Sequence, residues 1–403
     1  MLLPDNGQHQ EKNGYKFTIN DRSSIYDWYN AYFEVQFKLQ KLAGTAYIHN
    51  ANDRITVING AHSLINQMMI KSDGKIVYDT NNLHKVTFVK NLLEYNDDYS
   101  RSVGKNSLWY LDTADTTAAG NTGFEARRLL TKEQVANAGA PDINVIIPLN
   151  RYSFFEELED RILVPMQLQF NIKLQNDSEL IYMGDASPDD GRVVINRFLL
   201  WVPKLTPRDS LYNEFVKEYL KPSTWKYKRE MYQVSGPSRS SGFFQISPST
   251  DNVQAAFVYL QRAKTNNASA NPYIFDTFKL NAADANSSLT TCRLEYGNGI
   301  FYPETEYDSE SKVRIFNDLM SYSDKRTDYN SGTQLNLSNY NDLFPIIYFD
   351  LSYQADKVTR DPKQLIFRYK LNANSTADFH VHAILLYDEE VVINEIKNDL
   401  IVA

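Results

Sequence analysis

Alternating hydrophobic and polar positions dominate the chain and predict short antiparallel strands. The clearest case is Tyr29 to Leu42, where Phe33, Val35, Phe37 and Leu39 alternate with polar residues. Such alternation is typical of a strand with one face in a core and the other in water. Because strands and helices do not alternate regularly along the chain, the pattern argues against a parallel sheet and predicts an all-β protein.

A hairpin and several further strands are predicted in the first half. Asp73 and Gly74 stand between two apolar runs, and glycine accepts the positive φ that a tight hairpin turn needs. Additional strands are predicted at Ile55 to Asn59, Ser63 to Ile70, Asn144 to Leu149 and Val193 to Pro203.

Two long polar stretches predict loops that contain short helices. The first covers residues 100–143, and its helix is predicted from Thr131 and Gln134, which have capping-box spacing, with Gly139 after the last turn. The second loop is predicted from Pro303 to Asn341, with a helix at about Val313 to Tyr322.

The second half repeats the plan of the first. Its strands are predicted at Tyr227 to Val234, Gly242 to Ile246, Val253 to Gln261, Thr290 to Tyr296, Ile346 to Leu351, His380 to Tyr387 and Val391 to Ile393. Between the halves, Leu211, Phe215 and Tyr219 recur with helical spacing before Pro222 and predict a linker helix.

One stretch of the sequence occurs twice. PMQLQFNIKLQNDS begins at Pro165 and PKQLIFRYKLNANS begins at Pro362, with seven of fourteen positions identical. Upstream of each copy a second, shorter match has the letters LEY, at residues 93–95 and again at residues 294–296. Self-similarity of this kind predicts two copies of one structural unit.

About eight short antiparallel strands per unit favour a sandwich or jelly roll, because the sheet edges must be covered. The predicted fold class is all-β, with two tandem eight-stranded antiparallel jelly rolls, short helices in the loops and a linker helix. The predicted parts are a flexible N-terminal arm at 1–20, the first jelly roll at 21–204, the linker helix at 205–222 and the second jelly roll at 223–403.

Composition narrows the possible functions. With 42% hydrophobic and 23% charged residues the chain is globular and not disordered, and 27 Tyr and 21 Phe suit either sheet faces or a large contact surface. The net charge of −8 leaves no basic stripe for sequence-specific nucleic-acid binding. Cys292 is the single cysteine, so no intrachain disulfide forms. We expect neither a signal peptide nor a transmembrane segment.

Three groups of residues could carry chemistry. His380 and His382 share one strand face, as metal ligands can, but no third ligand is placed beside them, which favours a solvated or subunit-facing strand surface. Three aspartates before Gly191 suggest a calcium loop without the EF-hand spacing, namely Asp185, Asp189 and Asp190. An acidic cluster could cleave glycosides with paired carboxylates, or form a solvated turn or a subunit contact: Glu156, Glu157, Glu159 and Asp160. We therefore predict no catalytic, cofactor or metal site.

The segment from Ile55 to Thr113 carries a resemblance to a known family. It contains ITVINGAHSLINQMMIKSDGKIVYD, VKNLLEYNDDYS and LWYLDT, and INVIIPLNRYSFF followed by PMQLQFNIKL is similar as well. These stretches resemble the double jelly-roll major capsid proteins of Polinton (Maverick) elements and adintovirus-like viruses. More distantly, the chain resembles adenovirus hexon and virophage capsid proteins, over roughly residues 25 to 400.

The resemblance implies a structural protein and not an enzyme. It implies a pseudo-hexameric homotrimer that tiles an icosahedral shell around a DNA genome, in contact with neighbouring capsomers and a single jelly-roll penton protein. The location would be the virion, after assembly in the cytoplasm or nucleus. The loops at 100–143 and 303–341 would form low towers and subunit seams, with their Tyr and Phe residues buried between subunits. The alternative is a glycan-binding or glycan-cleaving protein built on two jelly rolls.

Overall fold

The computed structural model of the chain describes residues 1–5, 14–21, 24–47, 55–115, 120–132, 139–163, 166–183, 191–206, 208, 223–246, 253–263, 273–275, 288–297, 299–328, 332–352, 364–394 and 399–402. The linker helix predicted at 205–222 does not begin at Leu205, which belongs to a two-residue strand, and its remainder from position 209 onward lies outside these residues. Within the described ranges, no helix is both long enough and apolar enough to cross a membrane.

The second half folds as two antiparallel sheets. Its strands are β12 (Ser223–Val234), β13 (Gly242–Ile246), β14 (Val253–Arg262), β15 (Leu289–Tyr296), β16 (Ile300–Asp308), β17 (Ile347–Asp350), β18 (Leu365–Leu371), β19 (Phe379–Asn394) and β20 (Asp399–Val402). The sheet orders are β12-β19-β14-β17 and β13-β18-β15-β16, and β20 pairs with β19. The eight strands before β20 therefore have the order of a jelly roll, in which late strands insert between early ones.

The first half has the same plan. Its strands are β1 (Tyr15–Ile19), β2 (Ile25–Tyr26), β3 (Tyr32–Lys41), β4 (Ile55–Val57), β5 (Ile65–Ser72), β6 (Lys75–Asn81), β7 (Ile143–Pro148), β8 (Leu168–Leu174), β9 (Ile181–Met183), β10 (Gly191–Trp201) and β11 (Lys204–Leu205). Its main sheets are β1-β8-β5-β6 and β10-β3-β7, with the small pairs β2-β11 and β4-β9. In the second half, β12 pairs with β19 along its length. At the equivalent edge of the first half, the described residues show an isolated bridge from Leu2 to Leu200 of β10.

The two halves are thus two copies of one arrangement. Sheet β1-β8-β5-β6 corresponds to β13-β18-β15-β16, and β10-β3-β7 corresponds to β19-β14-β17. We call residues 1–206 the first unit and residues 223–402 the second unit, since every strand pair in the described residues lies within one or the other. The repeated stretch forms β8 and β18, which occupy equivalent positions, so that part of the repeat prediction is confirmed.

Two sequence predictions about the repeat and the N-terminus are wrong. The second match is accidental, because residues 93–95 lie at the end of a helix whereas residues 294–296 lie in β15. The predicted flexible arm at 1–20 contains β1, which pairs with β8 along Tyr15 to Ile19. Its alternating residues Tyr15, Phe17 and Ile19 are buried in the first core, so the arm's second part is a core strand.

Helices occur in the connections. They are α1 (Leu83–Glu94), α2 (Asp97–Arg101), α3 (Thr122–Thr131), α4 (Ser153–Glu156), α5 (Asp177–Leu180), α6 (Lys312–Tyr322) and α7 (Leu337–Leu343), with 3₁₀ turns at Ala61–Leu64, Val103–Ser107 and Leu149–Arg151. The α6 helix matches its prediction. Thr131 does not cap the start of a helix as predicted, because it is the last residue of α3; the residues predicted to follow it, 133–138, lie outside the described residues. The start of α3 is capped by Asn121, whose side chain accepts from the Phe124 N–H at 3.2 Å. Gln134 lies outside the described residues.

The local sequence explains where β3 and the β5–β6 hairpin form. β3 has the predicted alternation, with Phe33, Val35, Phe37 and Leu39 buried. The Asp73-Gly74 hairpin joins β5 to β6, with φ values of 46° and 84° that suit a tight turn. The second long loop begins later than predicted, because the residues around Pro303 belong to β16.

Candidate functional site: the junction of the two units

Helix α1 of the first unit packs in the core of the second unit. The ring of Phe88 stacks on Tyr273 at 4.1 Å with an interplanar angle of 8°. In the opposite direction, Trp225 at the start of β12 contacts Phe154 of the first unit at 4.2 Å between ring centroids. Each unit therefore contributes aromatic side chains to the other unit's core.

A buried carboxylate from the second unit is held by groups of the first. Glu230 on β12 is 3% exposed, and it accepts a hydrogen bond from the Tyr78 hydroxyl at 2.9 Å. The hydroxyl of Ser153 also donates to Glu230, and the Lys90 ammonium lies 3.2 Å from that hydroxyl. A buried charge is tolerated when such partners replace its water. The Glu230 network therefore fixes one unit against the other.

Lys90 and Glu156 form an ion pair beside this network. Burial lowers the pKa of Lys90, but the carboxylates of Glu156, Glu94 and Glu230 outweigh it, so the pKa is raised overall. Burial likewise raises the pKa of Glu156, but Lys90 and Arg151 outweigh it and the pKa is lowered overall. Glu156 is therefore a carboxylate at neutral pH and unsuited to act as a general acid, which needs a raised pKa.

The predicted acidic cluster lines an open cleft of about 660 Å³ at this junction. Glu157, Glu159 and Asp160 face the cleft, together with Lys228 of β12 and the end of α6. Glu156 is committed to its ion pair with Lys90. The glycan-cleaving alternative therefore gains no support from this cluster, which is a mixed-charge surface where the two units meet.

The histidine pair is divided between a buried and a half-buried residue. The His382 ring stacks on Tyr259 at 4.8 Å, and its Nδ1 lies 2.6 Å from the Tyr232 hydroxyl. Burial lowers the pKa of His382 well below its ordinary value. His380 lies 6.3 Å away between ring centroids, with its Nδ1 2.9 Å from the Ser235 carbonyl. Across the described ranges, no group of three or more His, Cys, Asp or Glu is placed to hold a metal.

The remaining predicted sites have different outcomes. Asp185, Asp189 and Asp190 lie outside the described residues, and Gly191 starts β10. The prediction that loop aromatics are buried between subunits is wrong for Phe124 and Tyr340, because both are fully buried within the chain. At Phe124 and Tyr340 the loops therefore contribute to the core of the chain and not to a surface between subunits.

Sequence reasoning missed the groups that join the units. The role of Lys90 could have been predicted, because a lysine inside the apolar run VKNLL needs a charged partner if the run is buried. Glu230 had none, because the KYKRE segment around it looks like an exposed strand.

Solved structures that are similar to this chain include three capsid-derived examples. The mavirus major capsid protein has a TM-score of 0.56 and 10% identity, covering 100% of this chain and 89% of its own. A chain of the Sputnik virophage has a TM-score of 0.57 and 12% identity, covering 100% and 87%. The Faustovirus major capsid protein has a TM-score of 0.60 and 9% identity, covering 96% and 89%.

No protein-family model and no curated protein matches the sequence. Identities near 10% leave the likeness as one of fold, carried by the strand order and not by shared side chains. That likeness covers nearly the whole of this chain and most of each solved one. The chain therefore has the double jelly-roll fold found in the major capsid proteins of mavirus and Faustovirus.

Proposed function

We propose that this protein is the major structural subunit of a viral capsid. The observation that carries the proposal is the duplicated jelly roll, which matches known major capsid proteins over almost their full length. The interlocked cores support it, because a shell subunit must hold its two units in one fixed orientation. The role we assign is structural and includes no catalysis.

The proposed assembly is a homotrimer. Three chains with two similar units each would present six similar edges, and such a ring has a pseudo-hexagonal outline that can tile an icosahedral shell. The two jelly-roll domains that we propose are 21–204 together with β1, which lies in the first unit, and 223–403, which corresponds to the second unit. The net charge of −8 suits a shell that encloses DNA without binding it tightly.

The proposed partners follow from this role. Neighbouring trimers would surround each trimer, and a single jelly-roll penton protein would fill the five-fold positions of the shell. The virion would be the location of the mature protein. A Polinton-like origin is proposed from the quoted sequence stretches, and the similarity to virophage structures supports it.

Expression of the full chain and electron microscopy of the product test the role. We expect hexagonal capsomers of uniform size, alone or joined into closed particles. Uniform single chains at every concentration would contradict the proposed function. A glycan-array measurement on the same sample covers the alternative, and specific glycan binding by such single chains would replace the capsid proposal.

A further inference from the structure

The outer face of one sheet in the second unit has the composition of an interface. Across β13, β18 and β15, Phe243 pairs with Arg368 and Arg368 pairs with Arg293. The next row on the same face contains Ile366 and Phe301, with Glu295 between them in the register. We call the side chains Phe243, Arg293, Phe301, Ile366 and Arg368 the arginine–aromatic face.

Phe243 and Arg368 are exposed on this face, whereas Arg293, Phe301 and Ile366 are half-buried. Phe243 is 63% exposed, and the Arg368 guanidinium lies 6.0 Å from its ring centroid. Arg368 also forms a 2.6 Å ion pair with Glu295, and Arg293 lies 3.9 Å from the Phe301 ring. Arginine and aromatic residues dominate binding hot spots, because they combine apolar area with directed hydrogen bonds.

The first unit provides an internal comparison for this face. Its equivalent sheet places Lys16 opposite Asn171 and Thr18 opposite Gln169, with Met69 opposite Asn171 on the other side. The inward positions are shared between the copies, since Leu168 and Leu365 are both buried. The copies therefore agree at positions that form a core and differ at positions on the outer face, where the second copy has arginine and aromatic residues and the first does not.

We propose that the arginine–aromatic face binds a second copy of this chain. Charge supports that occupant, because the face and the adjoining row carry Arg293, Arg368 and Lys370 against Glu295 and Asp308, whereas the whole chain has a net charge of −8. The opposite sheet of the second unit is covered within the chain, since β14 is buried along nearly all its length. This inference rests on the proposed function and identifies a surface through which the assembly forms.

The test compares two variants of the full chain with matched controls in the first unit. Phe243→Ser and Arg368→Glu alter the face, whereas Lys16→Ser and Asn171→Glu make the same changes at the equivalent positions. Sedimentation and mass photometry measure self-association, and circular dichroism verifies folding. We expect each face variant to weaken self-association by at least about tenfold, and each control to retain wild-type association.

The outcomes separate this inference from the proposed function. If wild-type protein assembles and the face variants assemble equally well, only the inference is overturned. Equal weakening by the face variants and their controls would also overturn it, and a monomeric wild-type protein would overturn both. A single-stranded oligonucleotide serves as a competing ligand. Oligonucleotide binding that both face variants lose while their self-association is unchanged would assign the face to nucleic acid instead.

Discussion

At the scale of single residues, Glu230 is the most sensitive point of the junction. Replacing it by alanine leaves the Tyr78 hydroxyl and the Ser153 hydroxyl without their acceptor, and it removes a carboxylate near Lys90. We expect Glu230→Ala to lower the free energy of unfolding by about 3–5 kcal/mol, as for other broken buried charge networks. Chemical denaturation measures this change.

A surface ion pair provides the control for Glu230. Asp97 pairs with Arg101 at 2.8 Å, but both side chains are more than half exposed. Asp97→Ala should therefore cost less than about 1 kcal/mol. A similar loss in the two variants would show that Glu230 has no special role at the junction.

His62 makes stability depend on pH. Its ring lies among Phe88, Trp109 and Tyr273, and burial, assisted by the charge of Arg151, lowers its pKa from 6.5 to about 3. Between these two values the unfolded chain binds the proton and the folded chain does not. The stability that neutral His62 contributes is therefore fully present above pH 6.5. It falls as the pH drops towards 3, by up to about 1.4 kcal/mol per pH unit.

The variant His62→Gln should show a shallower loss of stability across that pH window. Thermal unfolding at a series of pH values gives the slope for each protein. Val313→Ala, at a side chain that is exposed and does not titrate, is the control and should retain the wild-type slope. An unchanged slope in His62→Gln would contradict the assignment.

At the scale of elements, α1 connects the two units. Phe88 is 1% exposed and contacts rings from the second unit, including Tyr273 and Phe344. Phe88→Ala should lower the free energy of unfolding by about 3–5 kcal/mol, since it leaves a cavity in a core that both units share. Val313→Ala, at a side chain that is 62% exposed, should change it by less than about 0.5 kcal/mol. A loss near that of the Val313 control would contradict the packing role of α1.

Strands with one solvated face were predictable from alternation, whereas helix α1, which is buried on most sides, was not. β3 and β8 alternate cleanly, so their burial follows from the letters alone. Helix α1 is buried on almost every side, which removes the helical periodicity that would reveal it. Because α1 was not recognised as a helix, the letters LEY at residues 93–95 were interpreted as a copy of residues 294–296 in a strand. The Glu230 network could not be predicted from the sequence, because its residues come together only when the two units pack.

At the scale of the whole molecule, duplication has produced two units with shared cores and different surfaces. The shared cores suit the proposed role, in which one chain is a rigid building block of a ring. With different outer faces, the two units would make distinct contacts in the proposed assembly. The net charge of −8 makes separate copies repel one another, so the proposed assembly depends on specific complementary surfaces.

The mass of the purified full-length protein in solution tests the central claim most directly. A capsid subunit of this fold should associate into species of three 46.5-kDa chains, or larger particles made of them, when measured by mass photometry. Association should persist at micromolar concentration, because obligate interfaces are large. A single peak at the mass of one chain across the whole concentration range would contradict the account.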